Sequence, residues 1–302
     1  MPQAADPSSE THPARLRVGV IGAGRVGTVL AAALQRAGHE VVAISAVSQT
    51  STRRAERVLP GVPVRQPAEV VTDAGLVLLT VPDDELPGLV AGLAATGVPL
   101  AGRLLVHTSG RYGITVLAAA TRLGALPLAL HPVMTFTGRP DDLARLTSIS
   151  FGVTAPGALR PVAEALVIEM GGEPVFIAEE DRPLYHAALA GSANHLITLV
   201  VQGADLLARA GVPNPARMLT PLLTAALDNA LRLGDAGLTG PVARADADTV
   251  RGHVDALAQV SPEALRAYVA LARLTADRAL AAHLLTAPDA QRLLDVLAEA
   301  PR

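Results

Sequence analysis

The sequence predicts an α/β protein: an open, doubly wound, mostly parallel sheet followed by an all-helical C-terminal domain. Three observations carry this prediction. A short apolar strand runs into a glycine-rich turn that opens a helix. Short apolar runs then alternate with helical periodicity as far as residue 178. Beyond residue 181 strand-like runs stop, and Ala- and Leu-rich segments of helical length take over.

Residues 1–14 carry Pro2, Pro7 and Pro13 among small and polar residues, and we expect a disordered tail there rather than a signal peptide. Residues 15–179 form the predicted dinucleotide-binding domain. Its strands are expected over residues 15–21, 39–47, 76–81, 103–108, 126–130, 148–154 and 173–178. Its helices are expected from Val26, whose apolar positions Val29, Leu30, Ala33 and Leu34 recur at helical spacing until Gly38, and over residues 52–59, 86–95 and 158–170. Residues 180–302 form the predicted helical domain, with helices over residues 184–210, 215–233, 246–257, 262–285 and 287–299. Ser261 before Pro262 reads as an N-cap followed by a first-turn proline.

Composition excludes several kinds of chemistry. The 25 basic residues against 28 acidic ones leave a net charge of -3, so no positive field is available to hold a nucleic-acid backbone. Cysteine is absent, which removes disulfides, thiolate nucleophiles and cysteine-ligated zinc; no metal site is expected. Every cation is Arg and none is Lys, which rules out Schiff bases, a Walker-type phosphate lysine and a lysine general acid. The uncharged run beginning at Pro183 is long enough to suggest a membrane span. His186, Ser192, Asn194, His195 and Gln202 interrupt it, so we expect a helix buried between protein surfaces and a soluble, cytoplasmic protein.

Gly22, Gly24 and Gly27 form the spacing G-x-G-x-x-G between a strand and a helix, within a strand-helix-strand unit. In that setting Gly22 permits the tight turn, Gly24 lets the backbone approach a pyrophosphate, and Gly27 lets the helix pack close to the sheet. Arg25 and Val26 lie in the same turn, and the free N–H groups of the helix start face the anion. An acid about 20 residues past the glycines would bind the ribose of NAD. None occurs from Val41 through Ala55. Ser45, Ser48, Ser51 and Thr52 stand there instead, followed by Arg53 and Arg54, a set suited to a 2′-phosphate, so NADPH is favoured over NADH. The bland alternative is that the paired arginines form a solvated helix face.

Polar residues also gather at the carboxyl ends of later strands: Val81 and Pro82 with Asp83 and Asp84, then His107 to Gly110, then His131 before Pro132. Asp83 and Asp84 read equally well as caps of the next helix. Ser109 can orient a substrate or cap a turn, and His131 is a candidate proton donor.

Taken in order, the glycine turn, the strand ending at Asp83, the turn from His107 to Gly110, His131-Pro132 with Thr135-Phe136, Tyr185-His186 with Asn194, and residues 238–244 resemble one family. It is the Rossmann-like oxidoreductase family whose C-terminal half is called domain of unknown function 2520. The family is distantly similar to beta-hydroxyacid dehydrogenases, ketopantoate reductases and pyrroline-5-carboxylate reductases. The resemblance implies an NADP-binding Rossmann domain and a helical domain that commonly forms a homodimer. It further implies substrate-binding roles for Ser109 and Gly110, and a turn at Gly240-Pro241 that approaches substrate. Arg244 and Asp246 follow that turn and could close it as an ion pair, with Ala245 where a glycine is expected. In the beta-hydroxyacid dehydrogenases a lysine stands one helical turn before an asparagine; Asn194 matches the asparagine, but Ala190 occupies the lysine's place. Tyr185, His186, His195 or His131 would then have to supply a proton.

The reading that follows is an NADPH-dependent oxidoreductase reducing a small keto acid or imine by hydride transfer. Its catalytic candidates are His131, Ser109, Asn194 and His186, and its substrate-binding candidates are Ser109, Gly110, Tyr185, Gly240 and Pro241. Two alternatives stand beside it: a hydrolase built on Ser109 and a histidine, and a non-catalytic NADP-binding sensor or scaffold.

Overall fold

The computed structural model describes residues 15–139 and 141–301; the expected N-terminal tail lies outside them. In chain order the elements are β1 (Arg17–Ile21), α1 (Arg25–Arg36), β2 (Glu40–Ser45), α2 (Gln49–Val58), α3 (Pro67–Asp73), β3 (Leu76–Leu79), α4 (Leu86–Ala95), β4 (Leu104–His107), α5 (Ala118–Thr121), β5 (Leu126–Pro132), α6 (Asp141–Arg145), β6 (Ser150–Thr154), α7 (Arg160–Glu169), β7 (Glu173–Phe176), α8 (Arg182–Arg209), α9 (Pro215–Leu233), α10 (Ala247–Val260), α11 (Pro262–Ala281) and α12 (Ala287–Ala298). All seven expected strands form, and the second half is helical.

The strands make one sheet in the order β2-β1-β3-β4-β5-β6-β7. Every neighbouring pair is parallel except β5 and β6, which are antiparallel. Both faces are covered, which is why the central strands are apolar throughout instead of alternating. Val18 and Val20 pack with Leu30 and Leu34 of α1, while Ile21, Val77 and Leu79 pack with Val70 of α3 and Val90 of α4.

The chain divides into two compact units, the first ending at Ser192 and the second beginning at Ala193. The core of the second unit is the packing of α10, α11 and α12, with Val250, Val254, Leu265, Ala276 and Leu293 buried. α8 and α9 contribute little to any core. Arg182 is the only buried residue of α8, and α9 has none.

The expectation that the helix beginning near Pro183 is buried is thereby corrected for the single chain. Leu184 is 74% exposed, Ile197 56% and Val201 54%. By length and composition α8 is also long and apolar enough to cross a membrane.

Four smaller expectations also change. α2 begins three residues earlier than its pattern suggests, because Ser48 and Ser51 form a capping box. Asp83 and Asp84 do not cap α4, whose N-cap is Glu85 with no side-chain cap bond. α3, α5 and α6 are extra helices, α3 being started by the Gln66 and Glu69 capping box with Pro67 in its first turn. Asp246 forms no ion pair with Arg244; its carboxylate caps α10 through the Thr249 N–H and hydroxyl.

Candidate active site

The glycine turn between β1 and α1 is held from two sides. Gly22 has φ +111°, a conformation that favours glycine. The Gly22 and Ala23 N–H groups donate to the Ser45 carbonyl at the end of β2, at 3.3 and 2.9 Å. The Thr80 hydroxyl donates to the Gly22 carbonyl at 2.7 Å. A Cβ on Gly27 would collide with Gly22 O and Thr80 Oγ1, so only glycine lets α1 approach this closely. At Gly24, in contrast, an added Cβ would meet only the Thr80 carbonyl oxygen, at 3.9 Å.

In front of this turn lies a cavity of about 760 Å³, in the size range of ligand sites. The turn lines it with Gly22, Ala23 and Gly24; the β2–α2 segment adds Ser45, Val47, Ser48, Ser51 and Arg54; β3 and its loop add Thr80, Val81, Pro82 and Glu85. Arg54 is anchored by a 3.2 Å bond from Nη1 to the Ala23 carbonyl. Most of the expected cofactor residues therefore meet here. Arg53 does not line the cavity and is exposed. Arg25 and Val26 are also absent from its wall; Arg25 reaches the Phe136 carbonyl at 3.5 Å. Ser48 and Ser51 line the cavity while capping α2.

A second cluster forms where β4, β5 and β6 meet the first turn of α8. His131 of β5 shares a 2.8 Å hydrogen bond, through Nδ1, with the Tyr185 hydroxyl. His186 stands edge-on to the same imidazole, with ring centroids 6.1 Å apart. Gly110 lies against both histidines; a Cβ there would press on His186 Cδ2 at 2.5 Å and on His131 Nε2 at 3.0 Å. Burial, with Arg182, His186 and His107 nearby, holds the His131 pKa down to about 4. His131 is therefore a neutral ring at pH 7. A neutral imidazole can donate from only one nitrogen, so a proton-donor role cannot draw on an imidazolium.

Beneath this cluster His107 is fully buried, and burial holds its pKa to about 4 as well. Its Nδ1 accepts from the Ser109 N–H at 3.2 Å, so Nε2 carries the proton and donates to the Gly113 carbonyl at 2.8 Å. The Ser109 hydroxyl accepts from the Tyr112 N–H at 3.3 Å and is hydrogen-bonded to no histidine among the described residues. The hydrolase alternative lacks the serine-histidine pair it needs.

The residue that sequence reasoning missed is Arg182. Its guanidinium is fully buried and donates to Thr154 Oγ1 and to the carbonyls of Ser109, Ala129 and Gly152. Glu179, missed too, accepts from the Ile114 and Thr115 N–H groups and the Thr115 hydroxyl, which lowers its pKa against the opposing effect of burial. Asn194 is exposed on α8, in the second unit. Gly240 and Pro241 form a tight turn there: the Arg244 N–H donates to the Gly240 carbonyl, and the Asp246 N–H to that of Pro241.

A glycine turn that opens a helix at the carboxyl end of a parallel sheet, facing a cavity of this size, defines a dinucleotide-fold protein. Residues 1–132 match the family model of the Rossmann-like domain, and residues 149–275 match that of Domain of unknown function (DUF2520). The chain carries both domains of the family it resembles, in the same order. An NAD(P)+ glycerol-3-phosphate dehydrogenase from Bradyrhizobium sp. (strain ORS 278) is 29% identical over 237 residues, covering 72% of this chain and 68% of that protein. A candidate NADP oxidoreductase from Bacteroides fragilis shares the fold at TM-score 0.70 and 24% identity, over 86% of this chain and 98% of that one. An imine reductase from Pseudomonas sp. shares it at TM-score 0.57 and 18% identity, over 94% and 93%. The chain is thus a relative of NAD(P)-dependent oxidoreductases.

Proposed function

We propose that the protein is an NADPH-dependent oxidoreductase that reduces a small keto acid or imine by hydride transfer. The observation that carries the reading is the cavity wall itself. It joins the open backbone at Gly24 to hydroxyls and an anchored guanidinium at the end of β2, with no carboxylate on that segment. Backbone N–H groups at the start of α1 would hold the diphosphate. Ser48, Ser51 and Arg54 would hold a 2′-phosphate, since hydroxyls and a guanidinium suit a dianion better than a ribose diol. The fully exposed Val47 offers apolar surface for a purine.

The cofactor supplies a hydride when bound. The protein's part is to orient the acceptor and to place a proton. His131, neutral and bonded to Tyr185, is the proton-handling group in this reading, with Ser109, His186 and Asn194 as further candidates and Gly110 leaving room between the rings. We also infer that a second copy of the chain covers the apolar surfaces of α8 and α9, because patches of this kind on a soluble protein mark interfaces.

Calorimetric titration with NADPH and with NADH tests the cofactor, and NADPH oxidation across a panel of 2-oxo acids and cyclic imines tests the reaction. Tight NADPH binding with turnover of either class is the expected result. Binding of NADPH with no turnover across the panel would favour the non-catalytic sensor instead, and binding of neither dinucleotide would overturn both readings.

A further inference from the structure

Arg182 is the largest side chain among those fully buried, at 1% exposure. A buried arginine ordinarily stands beside a carboxylate that offsets its charge. Arg182 is in no ion pair among the described residues. Its donors go to neutral oxygens: Nε to Thr154 Oγ1 at 2.8 Å, Nη1 to Ser109 O at 3.3 Å, and Nη2 to Ala129 O at 3.2 Å and Gly152 O at 2.9 Å. The Thr154 hydroxyl in turn donates to the Ile177 carbonyl at 2.7 Å, which completes the shell.

Each of the three carbonyls adjoins the histidine cluster. Ser109 precedes Gly110. Ala129 lies two residues before His131 on the same face of β5. Gly152 is the residue of β6 paired with His131, and a Cβ on it would strike the Tyr185 hydroxyl. Tyr185 and His186 follow Arg182 in the first turn of α8, and the guanidinium carbon lies 5.6 Å from the Tyr185 ring centroid. One planar fork therefore joins β5, β6 and the loop after β4 to the helical turn that supplies Tyr185. A lysine could not replace it, since a single ammonium lacks the spread of five donors.

We propose that Arg182 is a positioning residue, which fixes the Tyr185 hydroxyl on His131 Nδ1 by clamping the carbonyls of Ser109, Ala129 and Gly152 to the first turn of α8. This rests on the reading of His131 as the proton-handling group, but the clamp can be tested without any substrate. The charged and titratable groups that bear on His131 are Arg182, Tyr185 and His186 from α8 and His107 from β4; β6 contributes only the uncharged Gly152. With no carboxylate among them, the guanidinium also opposes a proton on His131.

The test is nuclear magnetic resonance of the histidine rings in the full, unliganded chain, with the His131 signals assigned by their loss in His131→Gln. The 15N shifts of the His131 ring report its Nδ1 bond, and Tyr185→Phe supplies the values for the broken bond. In Arg182→Lys those shifts should move most of the way to the Tyr185→Phe values; shifts unchanged from the original chain would overturn the proposal. In Arg182→Met, where it folds, the ring shifts should move in the same way and the titration midpoint of His131 should rise as the positive charge is lost; ring shifts unchanged from the original chain would again overturn the proposal. Where it does not fold, Arg182→Lys decides. Failure to find a substrate would defeat the reductase reading and leave these ring measurements standing.

Discussion

His131 and Arg54 carry the sharpest expectations at the level of single residues. Replacing His131 with Gln keeps a polar group of similar reach but removes the titratable ring. Turnover should fall about 100-fold or more while NADPH affinity holds within about twofold; stopped-flow and binding titrations read the two separately. Arg54→Ala should weaken NADPH binding by roughly 10-fold, the worth of one charge-assisted bond, and leave NADH binding nearly unchanged. Arg53→Ala should do neither, because Arg53 is exposed and off the cavity wall. The difference within that arginine pair was invisible in the sequence, where both residues satisfy the same charge argument; the start of α2 at Gln49 decides which of them faces the glycine turn. Gly22 and Gly27 were legible because their backbone demands are local. Arg182 was not, because it follows Glu179, Glu180 and Asp181 and reads as one more member of a solvated charged stretch. Besides the Thr154 hydroxyl its acceptors are carbonyls scattered over β5, β6 and the loop after β4, and a carbonyl has no residue type to betray it.

Among the elements, legibility followed periodicity. Strands buried on both faces show as continuous apolar runs, and every one of them was found. α3 has seven residues, too few for a helical pattern to emerge, and its start depends on a capping exchange between Gln66 and Glu69. Asp83 and Asp84 illustrate the converse: the residue type suits a cap, but the helix begins after Glu85. The turn before α10 tests the sequence argument most directly. Ala245, standing where a glycine was expected, adopts φ +60°. Ala245→Gly should therefore stabilise the chain by about 1 kcal/mol, the strain of a left-handed alanine less the added freedom of the unfolded chain. Urea titrations that show no gain would mean the turn relaxes without it.

For the molecule as a whole, His107 and His131 set an acid limit. Both are neutral in the folded state down to about pH 4, whereas an unfolded chain protonates them near 6.5. Between those values the unfolded chain binds more protons, so stability should fall as pH drops from about 6.5 to about 4; at lower pH the carboxylates whose folded pKa is lowered, Glu179 among them, add a loss of their own. The loss from His107 alone is on the order of 3 kcal/mol. Replacing His107 with a neutral residue should flatten that part of the profile in chains that still fold.

α9 has consequences on the same scale. It is a 19-residue helix with Pro221 in its interior and no buried residue. Helices owe most of their stability to packing, and an interior proline removes a bond from the ladder. If a second copy covers it, as proposed above, folding of this segment and association of the chains are one equilibrium. Dilution then acts as a denaturant does: the melting temperature should climb with protein concentration, and Leu231→Glu should abolish that dependence.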